Sequence, residues 1–559
     1  MTKIKLPSER QVGHLKLLRQ EREISISEFN TLTTNEQLDI IRQLHGKDKY
    51  DLIISAQNAD KLVPQLNPQE IYLTVNEIGT SDVTELLALS SPAQISLLLD
   101  MDCWDGDNLS SVLTLRWLEL ILSTGNEKIC QLIREMEPET IALFLKKHIT
   151  IIHGIEVFDS DEIDNAKRLE SLYDIDYSSE DSSKIIGALL RIWMEQEQES
   201  YLLIMEMIRS EQIASLEEEL YIERNNRLLD LGILPAVEAK SIYTYVDPNR
   251  FTTGGKIGFE LEADEINNPM ALLAQAAPCN LLADILGSGI DHAAACELLL
   301  LVNRKMSADN VDFSETRQVS ETIQSTYDTL NLALEYLAGK DADQAERIFN
   351  DTYLLHLFQL GHSLVAERRN KALHIADSSI YPYLDYQELL FIDSLLETPP
   401  CLYLPESEDN PAKLVQIRTM VDLNLADLRL QQIEALEELF TVKLPFTLPQ
   451  PDEFDEEIPT LAQYFITAVA NQVLGRELRP IPLSESDLTT LKDKTIVTDR
   501  LDNNFCQQLV QYFNQQLDHL EFFTEFCLEL WEESLVTPTT DDEESIFSAF
   551  LLGTQQTTT

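Results

Sequence analysis

Three stretches, LVPQLNPQEIYLTV (62–75), LLALSSPAQISLLL (86–99) and LIREMEPETIALFL (132–145), align without gaps. Pro68, Pro92 and Pro138 coincide, as do Ile71, Ile95 and Ile141, and then Leu73, Leu97 and Leu143. The prolines lie 24 and 46 positions apart, close to one and two copies of a single unit. Proline suits the first position of a helix, where its missing N–H would have no partner in any case. Asn67 and Ser91 stand where they cap the first two helices, and Glu70 and Gln94, three residues later, complete two capping boxes. Gly79 suits the position just past the first helix. Each unit therefore reads as helix, tight turn and second helix with one apolar face, and stacking such units buries those faces.

Outward from this repeat, apolar residues recur at three- and four-residue spacing through most of the chain, as in Trp193, Ile204, Met207 and Ile208. Glycine is sparse, 17 in 559 residues, and alternating strand-like runs are few. The fold class predicted is all-α: stacked helical hairpins, a superhelical N-terminal array and further helical domains. A single small β-hairpin is expected within 242–261, around Gly254 and Gly255.

The expected organisation is an N-terminal arm at 1–20 and a superhelical helical-repeat domain at 21–155. An acidic linker or loop follows at 156–183; its stretch 159–183 carries nine acids. A central helical domain at 184–450 is bounded by Pro445, Pro449, Pro451 and Pro459. A C-terminal helical unit at 451–540 and a disordered tail at 541–559 complete the chain. Within that tail, IFSAFLL (546–552) reads either as a docking segment or as a frayed last helix.

The repeat resembles the cytoplasmic superhelical N-terminal domain of bacterial magnesium transporters over about 40–150, and more loosely the armadillo-like modules of the flagellar motor switch. No run of about 18 uncharged apolar residues follows, since 281–302 is interrupted by Asp284, Asp291, His292 and Glu297, so a transporter is not expected. Residues 329–349 (TLNLALEYLAGKDADQAERIF) resemble one tetratricopeptide unit, with Leu332, Ala333, Tyr336, Ala345 and Phe349 at its packing positions. The first aromatic position of that motif is Thr329 here, and the terminal proline is absent. Along its length the chain also resembles an uncharacterised bacterial family, domain of unknown function 6178. The segments that carry this are LLLDMDCWDGD (97–107), FLKKH (144–148), RNNRLLDLGI (224–233), YVDP (245–248) and TLNLALEYLAG (329–339). That resemblance implies no activity.

Charge narrows the partners. The 96 Asp and Glu against 42 Lys and Arg give a formal net charge of −54, a field that repels nucleic-acid phosphates and anionic membrane surfaces. A protein partner, basic by charge complementarity, or a divalent cation remains compatible with it. Seven scattered cysteines with no Cys-x-x-Cys pair point to reduced thiols and a cytoplasmic location, and the N-terminus MTKIKLPSERQ lacks the apolar stretch of a signal.

Candidate chemistry is thin. Asp100, Asp102, Asp105 and Asp107 put four carboxylates in eight residues, the oxygen-rich loop that Mg²⁺ or Ca²⁺ requires. Trp104 stands where an EF-hand needs an oxygen, and the competing reading is an inter-helix turn with Asp107 or Asn108 as the next cap. Glu217, Glu218 and Glu219, followed by Glu223, Arg224, Asn225 and Arg227, read as a solvated helix face with Glu223 and Arg227 paired. No His-Glu-x-x-His, Gly-x-Ser-x-Gly or Gly-Lys-Ser/Thr motif occurs, so no catalytic or cofactor-binding residue is assigned. The leading expectation is a non-enzymatic interaction or scaffold protein. A divalent-cation-responsive regulator and an enzyme of unrecognised class are the alternatives.

Overall fold

The computed structural model describes residues 3–5, 9–12, 15–18, 23–42, 44, 46–79, 83–153, 173–257, 270–406, 411–454, 458–498, 500–515, 517–536 and 549–552. The chain divides into two compact units, Met1–Gly361 and His362–Thr559. Among the described residues both are predominantly helical, and every sheet is a two-stranded antiparallel pair.

In the first unit each repeat proline opens a helix: Pro68–Ile78, Pro92–Asp102 and Pro138–Lys146. Ser91 and Gln94 form the predicted capping box, Gln94 Oε1 accepting from Ser91 N at 2.8 Å. The amide of Gln94 also donates to the carbonyls of Val63 and Leu66, so the cap ties two consecutive turns together. Asn67 caps its helix by accepting from Gln69 N, but the predicted second half of that box is not made. Glu70 turns instead to Lys49 on the helix Gly46–Ile54, a pair in which both side chains are buried. Ile71, Ile95 and Leu143 lie in the core with Leu62, Leu86 and Leu98. The same unit joins distant segments. Gln69 and Asn303 exchange amide hydrogen bonds of 2.9 and 3.0 Å, both side chains fully buried.

The segment 329–349 forms a helical hairpin, Thr316–Ala338 and Ala342–Asp351, turned at Gly339 with φ +65°. Leu332, Ala333, Ala345 and Phe349 are fully buried in it. The β-hairpin expected around Gly254 and Gly255 is not formed among the described residues; 258–269 lie outside them. Residues Lys240–Tyr243 and Pro248–Arg250 are 3-10 turns. The amides of Gly254 and Lys256 bond to Thr352 Oγ1 and the Asp351 carbonyl rather than to each other's strand. Small strands appear elsewhere. Ile149–His153 pairs with Asp174–Tyr177, inside the stretch expected as an acidic linker, of which 154–172 lie outside the described residues. In the stretch expected as an arm, Glu9–Val12 pairs with Leu15–Leu18 and Lys3–Lys5 with Glu23–Ser25.

The second unit holds the helices Tyr386–Leu396, Met420–Glu438, Leu461–Val473, Glu485–Thr495, Asn503–Asn514 and Glu521–Val536. Its core is aromatic: Phe465 packs edge-on against Phe513 and Phe523, with ring centroids 4.8 and 5.3 Å apart. The stretch expected as a disordered tail is docked on this unit at residues 549–552, where Ala549 and Phe550 are buried. None of the seven cysteines is in a disulfide. Among the described residues no helix is long and apolar enough to cross a membrane.

Candidate functional site

The acidic loop resolves into four carboxylates with separate roles. Asp100, 4% exposed, receives Arg227 through two bonds, Nε to Oδ2 at 2.7 Å and Nη2 to Oδ1 at 3.0 Å. Asp102 accepts from the Tyr72 hydroxyl at 2.7 Å and from Trp117 Nε1 at 2.6 Å. Asp105 and Asp107 stand exposed in a small hairpin, Trp104–Asp105 with Asn108–Leu109, whose turn needs the positive φ of Gly106. The next helix is capped by Ser110, not by Asp107 or Asn108. The loop therefore spends its inner carboxylates on protein donors. Among the described residues no group of three or more His, Cys, Asp or Glu is placed to hold a metal ion.

The helix Ile213–Leu229 keeps Glu218 and Glu219 exposed, as expected of a solvated face, but its Glu217, Arg224 and Arg227 act as a clamp. Arg227 does not pair with Glu223; it bridges Asp100 and Glu137, the latter at 2.8 Å. Arg224 donates to the Asp100 carbonyl at 2.8 Å and lies over the Trp104 and Tyr221 rings at 5.6 and 6.0 Å. Glu217 accepts from Leu109 N at 3.1 Å and pairs with Lys147. Leu228, Leu231 and Ile233 pack on Leu97 and Met101. Three of the segments quoted above, 97–107, 144–148 and 224–233, thus meet around one charged seam.

Beside that seam lies an open groove of about 700 Å³ between the first turns of the helices Ser111–Ser123 and Glu180–Gln196. Val112, 77% exposed, Leu115 and Ile185 supply its apolar lining; Arg116, Lys147 and Lys184 stand against Glu119 and Asp181. Lys184 pairs with Glu180 at 2.8 Å, and Arg116 forms no ion pair among the described residues. His148 lies at the edge of the groove, almost wholly buried, with Nε2 2.9 Å from Thr114 Oγ1. Burial, then the neighbouring Lys147 charge, holds its pKa below the ordinary range, so the imidazole is neutral at pH 7. His153 belongs to the adjacent strand.

The second unit contains a titratable pair that the sequence reading did not find. Asp385 precedes the helix Tyr386–Leu396, and Glu388 follows in its first turn. Burial pushes Asp385 up to about 6, against a lowering hydrogen bond with Thr460. Burial and then the Asp385 charge push Glu388 up to about 7, although Arg429 opposes this. Glu388 Oε2 is buried with no hydrogen-bond partner. The Arg429 guanidinium lies 4.1 Å from the Phe391 ring centroid and donates to the Tyr403 carbonyl at 2.9 Å. The pair's only mark in sequence is Asp-x-x-Glu before an apolar run, which reads as a helix cap; the burial that shifts it comes from packing remote in sequence.

The sequence model of DUF6178, described as a family of unknown function, matches residues 26–554. No curated protein and no solved structure matches the chain, so the likenesses to magnesium transporters and tetratricopeptide units rest on sequence alone.

Proposed function

Because the chain belongs to the DUF6178 family, for which no function is known, we propose from its geometry that it is a non-enzymatic interaction protein that docks an extended segment of a protein partner. The observation that carries this is the open groove of about 700 Å³ beside the Asp100–Arg227 seam. Its breadth suits a chain segment rather than an enclosed small substrate, and Val112 offers an apolar contact point already in solvent. The two helices that form its walls, Ser111–Ser123 and Glu180–Gln196, pack directly on each other, so binding orders little of the protein itself. Helical hairpins stacked as a scaffold fit the same role.

The groove's three cations roughly balance its two carboxylates, so a basic partner is favoured by the acidic remainder of the surface and not by the groove. Seven cysteines with no disulfide among them suit a reducing, cytoplasmic setting. A photo-crosslinking amino acid placed at Val112 in the producing cell tests the docking reading. One discrete adduct at position 112, absent when the probe stands at the equally exposed Val237, is expected. The same diffuse labelling from both positions removes the groove as a docking site.

A further inference from the structure

The segment 549–552 occupies a slot in the second unit through an isolated parallel bridge. Leu483 N donates to the Leu551 carbonyl at 2.8 Å, and Leu551 N donates to Thr467 Oγ1 at 2.9 Å. Leu483 and Leu552 form a parallel bridge, and Ala549 N reaches Ser534 Oγ at 3.4 Å. Phe550 is the anchor: it is 2% exposed and meets the Trp531 ring edge-on, centroids 5.3 Å apart. Bonds to the peptide main chain together with one aromatic anchor pocket are how extended peptides are recognised.

The walls of the slot are held by contacts the peptide does not make. Trp531 is backed by Phe505 at 5.4 Å, and its indole N–H points to Thr495 Oγ1 at 3.3 Å. Thr467 sits fully buried within the helix Leu461–Val473. Leu483 immediately precedes Ser484, which caps the helix Glu485–Thr495 with a full capping box. Among the described residues the occupant is anchored by Phe550 and Ala549, while Leu552 is already 47% exposed. A peripheral segment with an exposed end opens at lower free energy than the core helices it rests on.

We propose that Trp531, Thr467 and Leu483 form a peptide-binding slot whose resident ligand is the chain's own segment 549–552, and that a free peptide of the same sequence displaces it. The inference is independent of the groove in the first unit. Because the resident is covalently linked, it competes at an effective concentration in the millimolar range. Weakening the resident therefore strengthens binding of a free peptide.

The probe is a fluorescein-labelled peptide, Ser-Ala-Phe-Leu-Leu-Gly-Thr, matching residues 548–554, titrated into full-length protein. The variant Phe550→Ala is expected to bind it at least about tenfold more tightly than the parent chain, and the same peptide with Phe replaced by Ala is expected not to compete. Adding Thr467→Val to Phe550→Ala is expected to weaken binding again. Equal affinity of parent and Phe550→Ala, or no binding by a Phe550→Ala chain with unchanged circular dichroism, overturns the proposal. A measurement on the parent chain covers failure of the variant to fold. The Leu551 amide should exchange with deuterium at least about a hundredfold faster than the interior amides of the helix Leu461–Val473, and equal protection overturns release.

Discussion

Arg227 gives the sharpest test at the scale of single residues. It faces Asp100, 4% exposed, through a bidentate contact, whereas the neighbouring Arg224 bonds the Asp100 main-chain carbonyl rather than its carboxylate. Arg227→Ala leaves a buried carboxylate uncompensated and is expected to cost about 3–5 kcal/mol in urea unfolding of the full chain. Adding Asp100→Asn should recover part of that loss, because the stranded charge is then gone. Glu388 carries a different signature. Its folded pKa of about 7 lies above the ordinary 4.5, so between those values the folded state holds a proton that the unfolded state has lost. The stabilisation is present below about pH 4.5 and disappears as pH rises through 7. Glu388→Gln is therefore expected to raise stability by about 1–2 kcal/mol at pH 8 and to leave it unchanged at pH 4. Because the Asp385 charge is part of what raises Glu388, Asp385→Asn should move the Glu388 titration to lower pH. At this scale little could be read in advance. The cluster of four aspartates was visible, but its meaning depends on Arg227, Tyr72 and Trp117, which local spacing cannot bring to it.

Helices were the most readable level, because capping and periodicity act over three to seven residues and the chain carries those signals locally. All three proline-led starts fall where the spacing put them, and Ser91 with Gln94 closes its box. The exceptions share one cause, a partner from another element winning over the local one. Lys49 draws Glu70 away from Asn67, and Thr352 with Asp351 takes the amides that a hairpin at Gly254 would have needed. Thr329 explains a gap in the tetratricopeptide pattern. A Cβ on Gly361 would stand 2.1 Å from the Thr329 carbonyl oxygen and 2.9 Å from its side chain, so the helices Thr316–Ala338 and Leu354–Ala376 touch here almost backbone to backbone. An aromatic ring at position 329 has no room. Gly361→Ala is expected to cost about 2–3 kcal/mol through forced separation of the helices. A melting temperature within a degree of the parent chain would show that the contact yields.

Across the whole molecule the governing number is a formal charge of −54. Self-repulsion of that size opposes compaction, and salt screens it over about 8–10 Å. The melting temperature is expected to rise by several degrees between 20 and 500 mM NaCl; a fall would mean that ion pairs such as Arg227 with Asp100 outweigh the repulsion. Helical class was evident from composition, whereas the division at Gly361 and His362 carries no proline or glycine run to announce it. The first unit is also closed by contacts very far apart along the chain: Asp100 with Arg227 are 127 positions apart, and Gln69 with Asn303 are 234. A ribosome adds about 5–20 residues per second, so roughly 6–25 s pass between the emergence of Asp100 and that of its arginine. During synthesis the early hairpins therefore wait with an unmatched carboxylate and an uncovered apolar face, the kind of surface that chaperones shield.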